Sequence, residues 1–150
     1  MPDHLHTTID KFTFKVATDR SYSADGIWLQ DLGDGRVRVG VTDFVQQHSG
    51  DLAFASVKAT GTTVAAGDEF AELETVKVNL SLPLPIAGTI VEVNPALDTS
   101  PEVVNQHPYG DGWLAVIQAA GWEADRLGLL DPPAYVSVMQ SQVQQELNRP

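Results

Sequence analysis

The sequence predicts a mainly β fold: a small barrel or sandwich of short strands, with short helices between them and a helical C-terminus. Three observations carry that reading. Val78, Leu80, Leu82, Leu84 and Ile86 alternate strictly, the period-2 signature of a half-buried strand. Turn signals recur at close intervals, at Gly33-Asp34-Gly35, Thr60-Gly61, Ala66-Gly67-Asp68 and Pro108-Tyr109-Gly110, and short strands at such spacing favour a barrel or sandwich. Tyr135, Met139, Val143 and Leu147 instead recur every fourth residue, the spacing of one helix face.

Taken in order, residues 1–10 are expected to be mobile, and residues 11–16 alternate as a strand or an ordered arm. Residues 22–31 and 36–41 read as a β-hairpin around the Gly33-Asp34-Gly35 turn, with Val37, Val39 and Val41 on one face. Thr42 or Asp43 can cap a short helix over 44–48, which Gly50 closes. Residues 54–57 form a strand. A second hairpin follows: residues 70–76 are extended, Lys77 sits at or near the bend, and the alternating run leads away from it. Residues 85–94 are a turn and a strand. Ser100-Pro101-Glu102 carries a capping serine, a proline at the first helical position and an acid in the first turn, which start a short helix ending near Asn105. Residues 113–118 read as a strand and 123–130 as a helix. The expected organisation is an N-terminal arm over 1–20, a central domain over 21–133 and a helix over 134–150 packed on it.

At 150 residues the chain has the size of one domain with its own core. Its formal net charge of −11 disfavours nucleic acid and anionic membranes and favours basic partner surfaces. With no cysteine, structural disulfides and thiolate metal sites are excluded, so any thiol chemistry must arrive with a cofactor. The N-terminus has no apolar signal core, and no run reaches transmembrane length. A cytoplasmic monomer is expected, since no long exposed apolar stripe is evident.

Lys77 is the only Lys or Arg between Lys58 and Arg126, a stretch that holds ten carboxylates. An exposed lysine on a strand or turn is commonly there for solubility or to protect a sheet edge. The sharper reading is a handle: a lysine presented at a hairpin tip, whose amine is acylated by a cofactor carboxylate, losing its charge and extending a flexible stem. Other candidates are weaker. His4 and His6 are only two ligands where a metal needs three or four. His48 and His107 can line the path of an arm, although surface or packing roles are commoner. Trp28 and Trp113 read as packing residues.

The ordered series Arg38-Val-Gly-x-Thr42-Asp43-Phe44, Gly50-Asp51-x-x-Phe54, Gly61-x-x-Val64-x-x-Gly67-Asp68, Glu74-Thr-Val-Lys77, Pro85-x-x-Gly88-x-Ile90-Val-Glu-Val-Asn94 and Ser100-Pro-Glu-x-Val-Asn105-x-x-Pro108-Tyr-Gly-x-Gly-Trp113-Leu resembles the glycine cleavage system H-protein family over residues 22–136. The resemblance implies a barrel-sandwich hybrid fold of the lipoyl/biotinyl type with a helical C-terminus. It also implies no catalytic residues and lipoic acid in amide linkage on Lys77. Glu74 and Glu72, with Val76 and Val78 flanking the lysine, are expected to mark it for the lipoylating enzyme; ordinary solvated carboxylates are the plain alternative. The dithiolane would supply the thiol pair that the chain lacks, and a tethered arm holds its load at high effective concentration.

Three departures stand out: Gly26-Ile27-Trp28 where the family usually has His-Glu-Trp, the apolar Val78-Asn-Leu-Ser-Leu-Pro83 after the lysine, and Ser56 near a usual glutamate. With the extended ends, they bring the chain closer to the H-like lipoate-binding proteins that serve heterodisulfide-reductase-like complexes in sulfur oxidation, and that is the expected pathway. The alternatives are a glycine cleavage carrier of the aminomethyl group and an unmodified interaction domain. Biotin is disfavoured because its acceptor lysine typically lies between methionines. The implied partners are a lipoylating enzyme, a heterodisulfide-reductase-like complex or the glycine cleavage enzymes, and a reoxidising enzyme of the dihydrolipoamide dehydrogenase type.

Overall fold

A computed structural model describes residues 3–9 and 11–147. In chain order the strands are β1 (His4–Ile9), β2 (Phe12–Ala17), β3 (Ser21–Tyr22), β4 (Ile27–Gly33), β5 (Arg36–Val41), β6 (Leu52–Val57), β7 (Thr63–Val64), β8 (Glu69–Thr75), β9 (Asn79–Pro83), β10 (Gly88–Val93) and β11 (Ala115–Ala119). The helices are α1 (Asp43–Ser49), α2 (Ala96–Thr99), α3 (Val103–Gln106), α4 (Trp122–Asp125) and α5 (Pro132–Leu147). A six-stranded antiparallel sheet runs in the order β3-β4-β5-β11-β10-β7, a three-stranded sheet in the order β6-β8-β9, and β1 pairs with β2 alone. The inner faces of the two larger sheets share one core, in which Val37, Val39 and Val41 of β5 meet Phe70, Leu73 and Leu82 of the smaller sheet. This is the mainly β barrel-sandwich architecture expected, with its short helices and helical C-terminus.

Local chemistry explains the main turns. The β4–β5 hairpin closes through Asp34 and Gly35, at φ 56° and 78°, the left-handed pair that a tight hairpin turn demands. α1 starts at Thr42, whose Oγ1 accepts from the Val45 N–H, and ends at Gly50, whose N–H donates to the Gln46 carbonyl. Both were expected from the sequence.

A second core joins the ends of the chain. Tyr135, Met139 and Val143 of α5 pack with Ile9, Phe14 and Val16 of the β1–β2 hairpin and with Tyr22 and Trp28. Tyr135 lies flat on Tyr22, with ring centroids 4.7 Å apart, and bonds Thr42 through its hydroxyl at 2.9 Å. Trp28 is fully buried, donates from Nε1 to the Pro108 carbonyl and lies so close over Gly40 that a Cβ there would come within 2.5 Å of the indole. Its packing role is therefore as expected. α5 carries the four-residue periodicity through Val143; the side chain of Leu147 lies outside the described residues. Among the described residues no helix is long and apolar enough to cross a membrane.

Several local expectations are corrected. Of the leading residues expected to be mobile, 4–9 form β1, held by its pairing to β2 and by α5; residues 1, 2 and 10 lie outside the described residues. The strand expected over 22–31 breaks at Gly26, φ 87°, where a Ser23–Gly26 turn separates β3 from β4. The helix expected over 123–130 shrinks to α4 and a 3-10 turn over Arg126–Gly128, because Leu130 exchanges two backbone hydrogen bonds with Tyr22. α3 begins at Val103, beyond the proline, and the short β7 and α2 carry no sequence signal strong enough to announce them.

Candidate functional site

Lys77 stands at the tip of the smaller sheet, in the bend between β8 and β9. The last strand pair is Glu74 opposite Asn79, and the bend between them contains no glycine and no residue with positive φ. Thr75 explains how. Its buried hydroxyl accepts from the backbone N–H of Lys77 at 3.2 Å and of Val78 at 3.0 Å, and donates to the Val78 carbonyl at 3.1 Å. The Thr75 N–H adds a second bond to that carbonyl at 2.8 Å. A side-chain hydroxyl thus does the work for which hairpins usually recruit Asn-Gly. The backbone under the lysine is held while its side chain projects outward.

The surroundings of the amine are sparse. Lys77 Nζ donates to the His48 carbonyl oxygen at 3.3 Å, and its Cε passes beside Gly50, at the C-terminal end of α1. Val76 is 92% exposed, Val78 43% and Phe54 on the neighbouring strand 66%, so the tip is apolar around a single cation. Glu72 and Glu74 lie on the solvent face of β8, opposite Ser56 and Phe54 of β6. Leu80, Leu82 and Leu84 turn inward, so the alternating run reaches the core only beyond Val78.

The wall on which the lysine rests is itself fixed by Asn105. Its side chain accepts from the Leu52 N–H at 2.9 Å and donates to the Gly50 carbonyl at 2.9 Å and to Gln46 Oε1 at 3.2 Å. It clamps the α1–β6 connection from α3. Sequence reasoning placed Asn105 and Thr75 within motifs but gave neither a role; a hydroxyl two residues before a lysine in a hairpin bend was the available signal for Thr75.

The remaining candidates separate. His48 reaches the lysine through its backbone, while its ring stacks on Phe44. His107 lines a cleft with His4, Lys15 and Asp43. His4 packs against Tyr109, and burial, then the charge of Lys15, lowers its pKa. Among the described residues no three His, Asp or Glu side chains converge to hold a metal. Trp113 lies on the outer face under the Arg38 guanidinium, 5.2 Å from the ring centroid. Of the departures from the family pattern, Gly26 is required by packing, since a Cβ there would meet Val45 Cγ2 at 2.4 Å, and Ile27 is fully buried.

The family model for the glycine cleavage H-protein matches residues 20–142. The glycine cleavage system H protein of Enterobacter sp. is 42% identical over 127 residues, covering 85% of this chain and 98% of the relative. That of Mycobacterium tuberculosis is also 42% identical, over 125 residues, covering 80% and 93%. The crystal structure of a glycine cleavage system H protein from Mycobacterium marinum superposes with a TM-score of 0.72 at 37% identity, covering 80% of this chain and 95% of that one.

Proposed function

This chain belongs to the glycine cleavage H-protein family, and from that premise we propose that Lys77 is the residue that bears its lipoic acid. Members of the family carry lipoic acid covalently on a lysine and act as carriers, not catalysts. The observation that supports Lys77 is the hairpin tip itself: a backbone pinned by Thr75 beneath an exposed side chain whose amine makes one hydrogen bond, to the His48 carbonyl. Val76, Val78 and Glu74 form the flanking surface that a lipoylating enzyme would read. Lipoic acid, once attached, would supply a disulfide whose opening leaves one sulfur bearing the load and the other as a thiol.

The chain's own residues hold the attachment point, keep it exposed, and present an acidic surface that favours fast, reversible encounters with basic partners. The load is the aminomethyl group, and the partners are the glycine cleavage enzymes, a lipoylating enzyme and a reoxidising enzyme of the dihydrolipoamide dehydrogenase type. The sulfur-oxidation role expected from the departures gains no support: relatives at about 40% identity over most of their length are glycine cleavage H-proteins, and Gly26 and Ile27 have packing reasons of their own.

Intact mass of protein from lipoate-replete cells, beside Lys77→Arg, tests the attachment. A lipoyl-sized increment present in the wild type and absent in the variant is expected. A wild type without it would leave an unmodified interaction domain. Incubation of the modified protein with glycine decarboxylase and glycine then tests the load. Failure to load with glycine, with loading by sulfur compounds instead, would return the carrier to sulfur metabolism.

A further inference from the structure

The family match begins at residue 20, so the β1–β2 hairpin lies outside it. Where that hairpin meets the turn after α3 there is a cleft of about 650 Å³, lined by His4 and Lys15 from the hairpin and by His107 and Tyr109 from the turn. Its walls are tied together. The Tyr109 hydroxyl donates to the Lys15 carbonyl at 2.7 Å and accepts from the Asp43 N–H at 3.3 Å. The His4 ring packs against the Tyr109 ring, with centroids 5.7 Å apart. The polar groups of the lining divide into committed and uncommitted. Asp43 is buried; its Oδ2 accepts from the Lys15 N–H at 2.9 Å and from Gln47 Nε2 at 3.0 Å, and its Oδ1 from Gln46 Nε2 at 2.7 Å. Among the described residues, by contrast, Lys15 Nζ and the His107 ring have no hydrogen bond or ion pair, and the His4 ring has only its contact with Tyr109. The other acid of the lining, Asp111, is exposed. The local field has the matching sign: after burial, the charges of Lys15, His6 and Arg20 lower the pKa of His4, and Asp19 alone opposes them. In a chain of net charge −11, this is a locally positive region.

We propose that this cleft binds a small organic anion bearing at least two carboxylate or phosphate groups, held by Lys15 and His4 from the hairpin and by His107 from the turn. Uncommitted donors stand on both sides, so one anionic group meets each. An ammonium gives a charge-assisted hydrogen bond to an anionic oxygen, and an imidazole ring carries an N–H donor in either protonation state. The buried acid does not repel the ligand as a bare carboxylate would, because three N–H groups already answer it. The volume lies within the range of about 300–1,000 Å³ typical of small-molecule sites. The site stands apart from the attachment at Lys77 and does not depend on it. Because Lys15 and His4 belong to the added hairpin, it is a property of this chain's extension and not of the matched domain alone.

The test is a titration of the full-length protein at constant pH, read from the ring resonances of its four histidines. The probes are citrate, for carboxylates, and fructose 1,6-bisphosphate, for phosphate esters, each against sodium chloride at matched ionic strength. At least one probe is expected to shift the His4 and His107 resonances together and saturably, while that of His48, whose ring stacks on Phe44, stays in place. The probe that binds more tightly assigns the anionic group. Lys15→Met removes the charged donor from an exposed position and leaves the backbone bonds of β2 intact, so it should weaken binding at least about tenfold with the unfolding midpoint unchanged. Shifts that sodium chloride reproduces would mean charge screening only and would overturn the site. So would the absence of a saturable shift with both probes, or binding of equal strength in Lys15→Met.

Discussion

Replacing Asn105 by alanine should unfasten the wall behind Lys77. The wild-type side chain makes three hydrogen bonds, one accepted from Leu52 and two donated to Gly50 and Gln46. Leu52 is buried, so its N–H, left without that acceptor, costs about 1–3 kcal/mol. The Gly50 carbonyl and the Gln46 amide lie where water can reach them, so each of those bonds contributes only about 0.5–1 kcal/mol. The sum is about 2–5 kcal/mol, a large share of the stability of a domain this size. Equilibrium urea unfolding should show a lower midpoint at unchanged slope, since the surface exposed on unfolding is the same. Asn105→Asp keeps the acceptor for Leu52 but loses both donors and turns a carboxylate toward two oxygens, so it should recover only part of the loss. An Asn105→Ala protein within about 0.5 kcal/mol of wild type, inside the usual range of neutral surface changes, would refute the clamp.

The lysine bend offers a finer test: Thr75→Val should cost about 1 kcal/mol, speed amide exchange at Lys77 and Val78, and slow modification by a lipoylating enzyme several-fold. Thr75→Ser, which keeps the hydroxyl, should restore all three. The chain's three tyrosines provide a pH prediction. Burial raises all three, Tyr135 to about 12 and Tyr22 and Tyr109 further. The fold thus favours the neutral phenols. Their contribution is complete below the unfolded value near pH 10 and is lost as pH rises above it, by up to about 1.4 kcal/mol per pH unit for each tyrosine. Tyrosinate absorbance should appear together with alkaline unfolding; smooth ionisation near pH 10 in a protein that stays folded would show that these hydroxyls are not sealed in.

Much of the site was legible because it is local. A hairpin bend, an alternating strand and a capped helix are written in neighbouring residues, so Lys77, the β9 face and α1 could be read from periodicity and turn chemistry. The mobile-arm expectation for residues 1–10 failed for the opposite reason. β1 is ordered by its pairing to β2 and by α5, far along the chain: its outward residues carry no periodicity, and Ile9 is buried against α5, which no local pattern reports. The helix expected over 123–130 failed likewise, since its end is overruled by Leu130 pairing with Tyr22. The departures at Gly26 and Ile27 misled by analogy. Seen in sequence they suggested a different pathway, whereas in the fold they answer the closeness of Val45 and the depth of the main core.

The arrangement around Lys77 also separates two properties that the proposed attachment needs together. Its backbone must be presented in one geometry, and its amine must be free to react. An ion pair could supply the first only at the expense of the second, because a carboxylate partner would have to be displaced before acylation. Glu72 and Glu74 lie on the same strand, yet among the described residues Lys77 joins no ion pair and makes one side-chain hydrogen bond, at 3.3 Å, near the long end of the useful range. Order comes instead from Thr75, whose bonds go to the main chain and leave the amine alone. Lys77 therefore stands as a lone cation on an acidic, apolar-tipped hairpin: the nearby glutamates can draw a basic enzyme surface toward the lysine without competing for it.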